Sequence, residues 1–233
     1  SETAGSSVTV NATGADDAVT ITVSAGANGA TTPLPGDYTV DPELPLAVTG
    51  TPNLGYVFAN WTGTATFGDD TLASTTATST VDATAQANFA KITLISSETN
   101  VAVTEGDVDD TFVVTLSALP TLAMSVTVSS NNPSITVSPA TFDLDNTNWN
   151  TGQIVTVEGI EDADTDDETA TITVSETAGS EVFVNATGTD DAITLTVAAG
   201  ANGTTTTPAP GAYVIDPDTG GLPYTIVALA DPG

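Results

Sequence analysis

The segment Ser1-Glu-Thr-Ala-Gly-Ser-Ser-Val-Thr-Val-Asn-Ala-Thr-Gly returns later in the chain as Ser175-Glu-Thr-Ala-Gly-Ser-Glu-Val-Phe-Val-Asn-Ala-Thr-Gly. The match runs on: Asp16-Asp-Ala-Val-Thr-Ile-Thr-Val becomes Asp190-Asp-Ala-Ile-Thr-Leu-Thr-Val, and Ala25-Gly-Ala-Asn-Gly becomes Ala199-Gly-Ala-Asn-Gly. From Ser1 to Ser175 the period is 174 residues. That is far beyond the roughly 20–45 residues of one solenoid coil, and it suits two domains of about 75–100 residues strung alternately along the chain. Each module must then bury its own core. The chain opens inside a repeated segment, so it reads as an excerpt of a longer protein.

Between the repeated ends, Val19 to Val23, Phe112 to Leu116, Ser125 to Val128, Ile154 to Val157 and Thr169 to Val174 are rich in β-branched residues, and most alternate apolar with polar. Alternation of period two is what a strand with one buried face requires. Gly, Pro, Asn and Asp clusters separate these runs, and no sustained apolar pattern has helical spacing. The expected fold is all-β, as a tandem of β-domains. Acidity can signal disorder, but 39% hydrophobic residues in this arrangement point to folded sheets.

Composition narrows the chemistry. The 233 residues hold no His, no Cys and one basic residue, Lys91, against 30 acids, for a formal net charge of -29. A Ser or Thr nucleophile needs a neighbouring base, usually His or Lys, and zinc sites draw on His and Cys. Carboxylate pairs can hydrolyse glycosides, but such a site belongs in an aromatic-lined cleft, and aromatics make up only 5% of the chain. No enzyme is expected. Nucleic acid and anionic lipid bind through Lys and Arg, so neither is an expected partner, and no long apolar run could insert into a membrane. Disulfides are ruled out. So few cations leave clustered carboxylates to be solvated, protonated or neutralised by a metal.

Residues 18–90 carry Ile21-Thr-Val, Ala25-Gly-Ala-Asn-Gly, Gly55-Tyr-Val-Phe-Ala-Asn-Trp-Thr-Gly and a closing Ala85-Gln-Ala-Asn-Phe-Ala. This series resembles the divergent B-repeat of the internalin type found in bacterial surface proteins. The resemblance implies a small β-grasp-like or β-sandwich spacer or adhesion module. Tyr56, Phe58, Trp61 and Phe89 could form a sugar-stacking platform, but Tyr56 and Phe58 lie two apart and share a strand face, which favours a core role. Residues 192–233 begin a second B-repeat and stop before any counterpart of Gly55-Tyr-Val-Phe-Ala-Asn-Trp.

Residues 91–191 carry Val101-Ala-Val-Thr-Glu-Gly-Asp, Phe112-Val-Val-Thr-Leu, Asn148-Trp-Asn-Thr-Gly-Gln-Ile-Val-Thr-Val and Glu161-Asp-Ala-Asp-Thr-Asp-Asp-Glu. This set resembles a bacterial Calx-beta domain and implies a seven-stranded, immunoglobulin-like sandwich. Residues 1–17 would then be the last strands of a preceding copy. Calcium binding is frequent in that family, and the resemblance implies Ca2+ ligands at Glu105, then Asp162, Asp164, Asp166 and Asp167, then Asp190 and Asp191. Asp16 and Asp17 would match the last pair in the preceding copy. Calcium takes six to eight oxygens in irregular geometry, which acidic loops can supply. Solvated loop acids that aid solubility are the alternative. Asp69-Asp70 and Asp109-Asp110 read as surface turns, and Lys91 as the partner of a nearby acid rather than of an isopeptide cross-link.

The expected role is a structural or adhesive repeat region of an extracellular bacterial surface protein or filament, stiffened by calcium between modules. Its partners would be neighbouring modules or copies, together with a cell-surface or matrix ligand. Two alternatives stay open: a fibre subunit assembled by strand exchange, with Val8 to Val10 as an orphan strand, and a carbohydrate-binding accessory module.

Overall fold

The computed structural model describes residues 17–42, 44–106, 109–161, 165–201, 203–215 and 225–230, and every regular element among them is a β-strand. The chain divides into two compact units, Ser1–Ala90 and Lys91–Gly233.

The first unit contains β1 (Val19–Ala25), β2 (Gly29–Thr32), β3 (Gly36–Val40), β4 (Leu46–Pro52), β5 (Tyr56–Gly63), β6 (Thr66–Phe67), β7 (Ser74–Thr78) and β8 (Ala83–Lys91). They form two four-stranded sheets, ordered β3-β1-β8-β5 and β2-β4-β7-β6. The first and last strands are parallel neighbours, with Ile21 opposite Ala83 and Val23 opposite Ala85. Alternation explains what they bury: Ile21 and Val23 from β1, and Ala83, Ala85 and Ala87 from β8, join Val48, Trp61 and Ala77 in the core. The alanines leave room for rings. Trp61, 1% exposed, lies 5.7 Å from Phe58 and 6.0 Å from Phe67, and Phe58 meets Phe89 edge-on at 6.1 Å.

Phe58 and Trp61 are three residues apart, so strict alternation would put them on opposite faces, yet both rings join one cluster. Around Trp61, β5 is bonded to both sheets. Trp61 N donates to Asp70 O at 2.7 Å in the second sheet's loop, while the Asn88 amide reaches back to Asn60 Oδ1 (3.1 Å) and Thr62 Oγ1 (3.0 Å). At Gly63 the chain presses against β8, with φ of 140° and Thr64 N and Ala65 N both donating to Thr84 O at 3.1 Å.

In the second unit, β9 (Leu94–Ser96), β10 (Asn100–Thr104), β11 (Asp110–Leu116), β12 (Met124–Ser130), β13 (Ile135–Ser138), β14 (Thr141–Leu144), β15 (Gln153–Gly159), β16 (Glu168–Glu176) and β17 (Glu181–Thr189) build a sandwich of two sheets, β10-β17-β16-β12-β14 and β13-β15-β11-β9. Two pairs of segments are single runs that change sheets. β9 pairs with β11 and β10 with β17, across a bend at Ser97 to Thr99; β13 pairs with β15 and β14 with β12, across Pro139, which has no N–H to give a ladder. With each such pair taken as one strand, the sandwich is seven-stranded. Phe112, Val114 and Leu116 face inward as their spacing requires, against Met124, Val126, Val155, Val157, Ile172 and Val174.

Beyond it lie β18 (Ile193–Val197), β19 (Gly203–Thr207), β20 (Gly211–Ile215) and β21 (Val227–Ala230), paired β18-β20 and β19-β21. These repeat the β1-β3 and β2-β4 pairings of the first unit. The extra threonine in Thr204 to Thr207 is absorbed as a register shift between Thr205 and Thr207. Tyr38 Oη donates to Leu34 O, and Tyr213 Oη likewise to Ala209 O.

Candidate functional site

Strand direction sorts the sandwich into two unlike poles. β10 runs parallel to β17, which sets Thr104 beside Thr189, and β16 runs antiparallel to β17, which sets Glu168 beside Gly188. The residues after β10, before β16 and after β17 therefore meet at one end. Asp110, opposite Val157 at the start of β11, lies there too, and Gly106 N donates to Gly159 O at 3.3 Å. The acids gathered at this pole are Glu105, Asp110, Asp166, Asp167, Asp190 and Asp191. The chain leaves the sandwich by this pole, since β18 follows Asp191 directly.

Of the expected ligands, Asp162 and Asp164 lie outside the described residues, as does Asp16. The remaining five are brought to the same end. Glu105 is 2% exposed, its N–H donating to Thr189 O at 3.0 Å. Asp167 Oδ1 accepts from Asp190 N at 3.2 Å, linking the acidic loop to the exit segment, and Asp190 Oδ1 accepts from Ala192 N at 2.6 Å. Asp110 accepts from Ala102 N (3.1 Å) and Thr111 N (2.7 Å). Among the described residues, no three acidic side chains are grouped closely enough to hold a metal ion. The donor chemistry is all carboxylate oxygen, the kind hard cations such as calcium accept.

The opposite pole carries the turn between β16 and β17 and explains the repeated Ser-Glu-Thr-Ala-Gly-Ser motif. Glu176, 7% exposed, folds its carboxylate under the turn and accepts from Ala178 N and, at 2.6 Å, from Ser180 N. Ser180 Oγ in turn accepts from Leu94 N at 3.0 Å. Sequence reading passed over Glu176, though its recurrence as Glu2 was the available signal. Lys91 is a correction: its ammonium donates to Gly179 O at 2.8 Å rather than to a carboxylate. One cation thus caps the turn that Glu176 braces, where the chain enters the sandwich.

Elsewhere the motifs serve local structure. Asp69 Oδ1 accepts from Thr71 Oγ1 (2.6 Å) and Thr71 N (2.9 Å), and Asp145 does the same with Thr147 at 2.6 and 2.8 Å. The threonine hydroxyl first and the turn amide second hold each carboxyl below its usual range. Asn148 closes its turn by accepting from Asp145 N at 2.7 Å and donating to Asp143 O at 3.0 Å. Trp61 is interior, and its indole N–H donates to Leu72 O at 3.2 Å; Phe58 and Phe89 pack against the same core.

Residues 19–93 match the family described as the divergent InlB B-repeat domain. No curated protein matches the chain. Among solved structures, the periplasmic chaperone SfaE is similar at 10% identity and a TM-score of 0.35, covering 42% of this chain and 57% of its own. The E. coli chaperone DraB is similar at 14% identity and a TM-score of 0.33, covering 43% of this chain and 56% of its own. The chain thus spans little more than half the length of either chaperone. Among the described residues, no helix is long and apolar enough to cross a membrane.

Proposed function

We propose that this chain is a spacer region of an extracellular bacterial surface protein, in which B-repeat modules alternate with Calx-beta-like sandwiches and calcium at the acidic pole of each sandwich stiffens the connection to the next module. The match of residues 19–93 to the divergent InlB B-repeat domain supports the spacer role. The observation that carries it is the convergence of three acid-bearing segments at the pole by which the chain leaves the sandwich. A cation held by Glu105, the loop of Asp162, Asp164, Asp166 and Asp167, and the exit pair Asp190 and Asp191 would tie a rigid sandwich to its linker and so restrict the angle between them. Two carboxylates about 4 Å apart repel by roughly 4 kcal/mol at an effective dielectric near 20, and a divalent ion reverses that sign. Adhesion to a surface ligand fits the same architecture, which would hold a terminal domain away from the cell.

Calcium is expected to raise the melting temperature of the second unit by about 4 °C or more over a chelator control, since roughly 1 kcal/mol moves a domain of this size by that amount. The triple change of Asp162, Asp164 and Asp166 to Asn should abolish the rise. Small-angle scattering should show a narrower spread of shapes with calcium. An unchanged melting temperature and unchanged scattering would leave the acids as solubilising surface.

A further inference from the structure

Among the described residues one aromatic ring is open to solvent. Phe183 on β17 is 54% exposed, and every other described aromatic side chain is buried or half-buried. The ring stands on the outer face of the five-stranded sheet of the sandwich. Alternation turns Ala170, Ile172 and Val174 of β16 and Val184 and Ala186 of β17 into the core. It leaves Thr169, Thr171 and Thr173 facing outward, opposite Thr187, Asn185 and Phe183 in turn. Phe183 points away from the core, so packing does not call for it. It is also a departure from the repeat, because the preceding copy carries Thr9 at this position.

Beside the ring the surface is hollowed. An open cavity of about 340 Å3 draws its polar lining from Asn131, Thr169, Thr171, Asn185 and Thr187. That volume lies within the roughly 300–1,000 Å3 of small-molecule sites. Its amides are held in place by one bond each. Asn131 Oδ1 accepts from Thr171 N at 2.8 Å, which leaves its N–H groups to donate; Asn185 Nδ2 donates to Asn100 Oδ1 at 3.3 Å, which leaves its carbonyl oxygen to accept. Asn185 and Phe183 are two apart on one strand, about 7 Å along the same face. A ligand reaching from the cavity over the ring meets hydroxyl and amide groups first and an aromatic face next.

Charge selects the class of ligand. No carboxylate and no cation lines the cavity, although the chain carries 30 acids. An anionic ligand would enter the field of a chain with a net charge of -29 and meet no compensating cation, and a cationic one would find no carboxylate there. What fits is a neutral molecule with hydroxyls at its rim and an apolar face to lay on the ring. A pyranose with equatorial hydroxyls has that form, since its axial C–H groups meet the negative face of an aromatic ring.

We propose that the outer face of β16 and β17 binds a neutral, β-linked, gluco-configured oligosaccharide, with one sugar ring on Phe183 and its neighbour held by Asn131, Thr171 and Asn185. The rings of the first unit pack into a core and are closed to such a ligand.

The test titrates cellohexaose, and separately its N-acetylated relative chitohexaose, into the 233-residue chain in chelator and follows backbone amide resonances. At millimolar concentration at least one of the two should shift the amides of Thr171, Thr173, Phe183 and Asn185. Phe183→Thr, which writes in the residue of the preceding copy, should weaken binding about fivefold or more with the rest of the spectrum in place, and Phe183→Tyr should keep it. Asn185→Ala should weaken binding by a similar factor with the ring intact. The proposal is overturned if neither sugar shifts these amides, if Phe183→Thr binds as the parent chain does, or if an oligogalacturonate of the same length shifts them equally. Because calcium is absent, failure here leaves the acidic pole untouched.

Discussion

Trp61→Ala is expected to lower the stability of the first unit by about 3–5 kcal/mol, the range for removing a large ring from a packed core. Trp61 is 1% exposed, and its ring touches Phe58 and Phe67 from both sides of the core. The surrounding core is largely alanine and valine, Ala77, Ala83, Ala85, Ala87 and Val48, whose short side chains cannot extend into the space. The indole also ties the loop at Leu72 through its N–H. A unit of about 75 residues has roughly 4–11 kcal/mol in total, so the variant should sit close to its unfolding midpoint at 37 °C. Chemical denaturation followed by circular dichroism, with amide exchange resolved by segment, reads the loss. Trp149 is then the remaining tryptophan and reports the second unit, whose midpoint should stay where it was. A loss below about 1 kcal/mol would mean that the core closes over the gap and that the ring is not what holds the two sheets together.

Gly63→Ala should be comparably damaging. An added Cβ would lie 2.1 Å from Thr84 O and 2.6 Å from its carbonyl carbon, and these are backbone atoms of the central strand β8 that cannot swing aside. The φ of 140° adds a conformational penalty of about 1–3 kcal/mol, on top of about 1–3 for overpacking. Gly179 is the control. It too has positive φ, 83°, but nothing lies within 4 Å of the Cβ position, so Gly179→Ala should cost the second unit only about 1 kcal/mol. Segment-resolved exchange should show β8 and β5 opening in the first variant and a small uniform loss in the second. Equal effects at the two glycines would mean that backbone conformation, and not the approach to Thr84, sets the requirement.

The strands themselves were legible because their pattern is local. Phe112, Val114 and Leu116 on one face, or Ile21 and Val23 on another, follow from alternation alone, and the observed strands contain each of the five runs read between the repeated ends, while Val8 to Val10 lies outside the described residues. The irregular places were not legible. Phe58 and Trp61 share a cluster where β5 is bonded to both sheets, through Asp70 and Asn88, partners 9 and 27 residues from Trp61 in sequence. Lys91 finds Gly179, 88 residues away, through a turn whose shape depends on the buried Glu176 carboxylate. For a lone cation among 30 acids, an ion pair is the natural expectation, but a fixed carbonyl at the end of a braced hairpin is already in place, whereas a long exposed acid must be immobilised to pair. At the acidic pole, the three acid-bearing segments were named through the Calx-beta resemblance and not through any local pattern. Topology was needed to show that the end of β10, the start of β16 and the end of β17 coincide, because no local pattern encodes a parallel pairing between strands more than 80 residues apart.

That parallel pairing bears on what happens when a chain of such modules is pulled. In the first unit β1 and β8 are the first and last strands and lie side by side, with five residue pairs from Ile21 and Ala83 to Ala25 and Ala87. In the sandwich β10, the second half of the opening β9-β10 run, lies parallel to the last strand β17, with five pairs from Asn100 and Asn185 to Thr104 and Thr189. Parallel neighbours drawn by opposite ends are loaded lengthwise, so their hydrogen bonds share the force and must fail together; an antiparallel hairpin pulled at its open end gives way one pair at a time. Tension applied from end to end thus meets both modules in their shearing direction. Single-molecule extension should record a higher rupture force with this attachment than with handles placed at Glu168 and Thr189, which would peel β16 from β17.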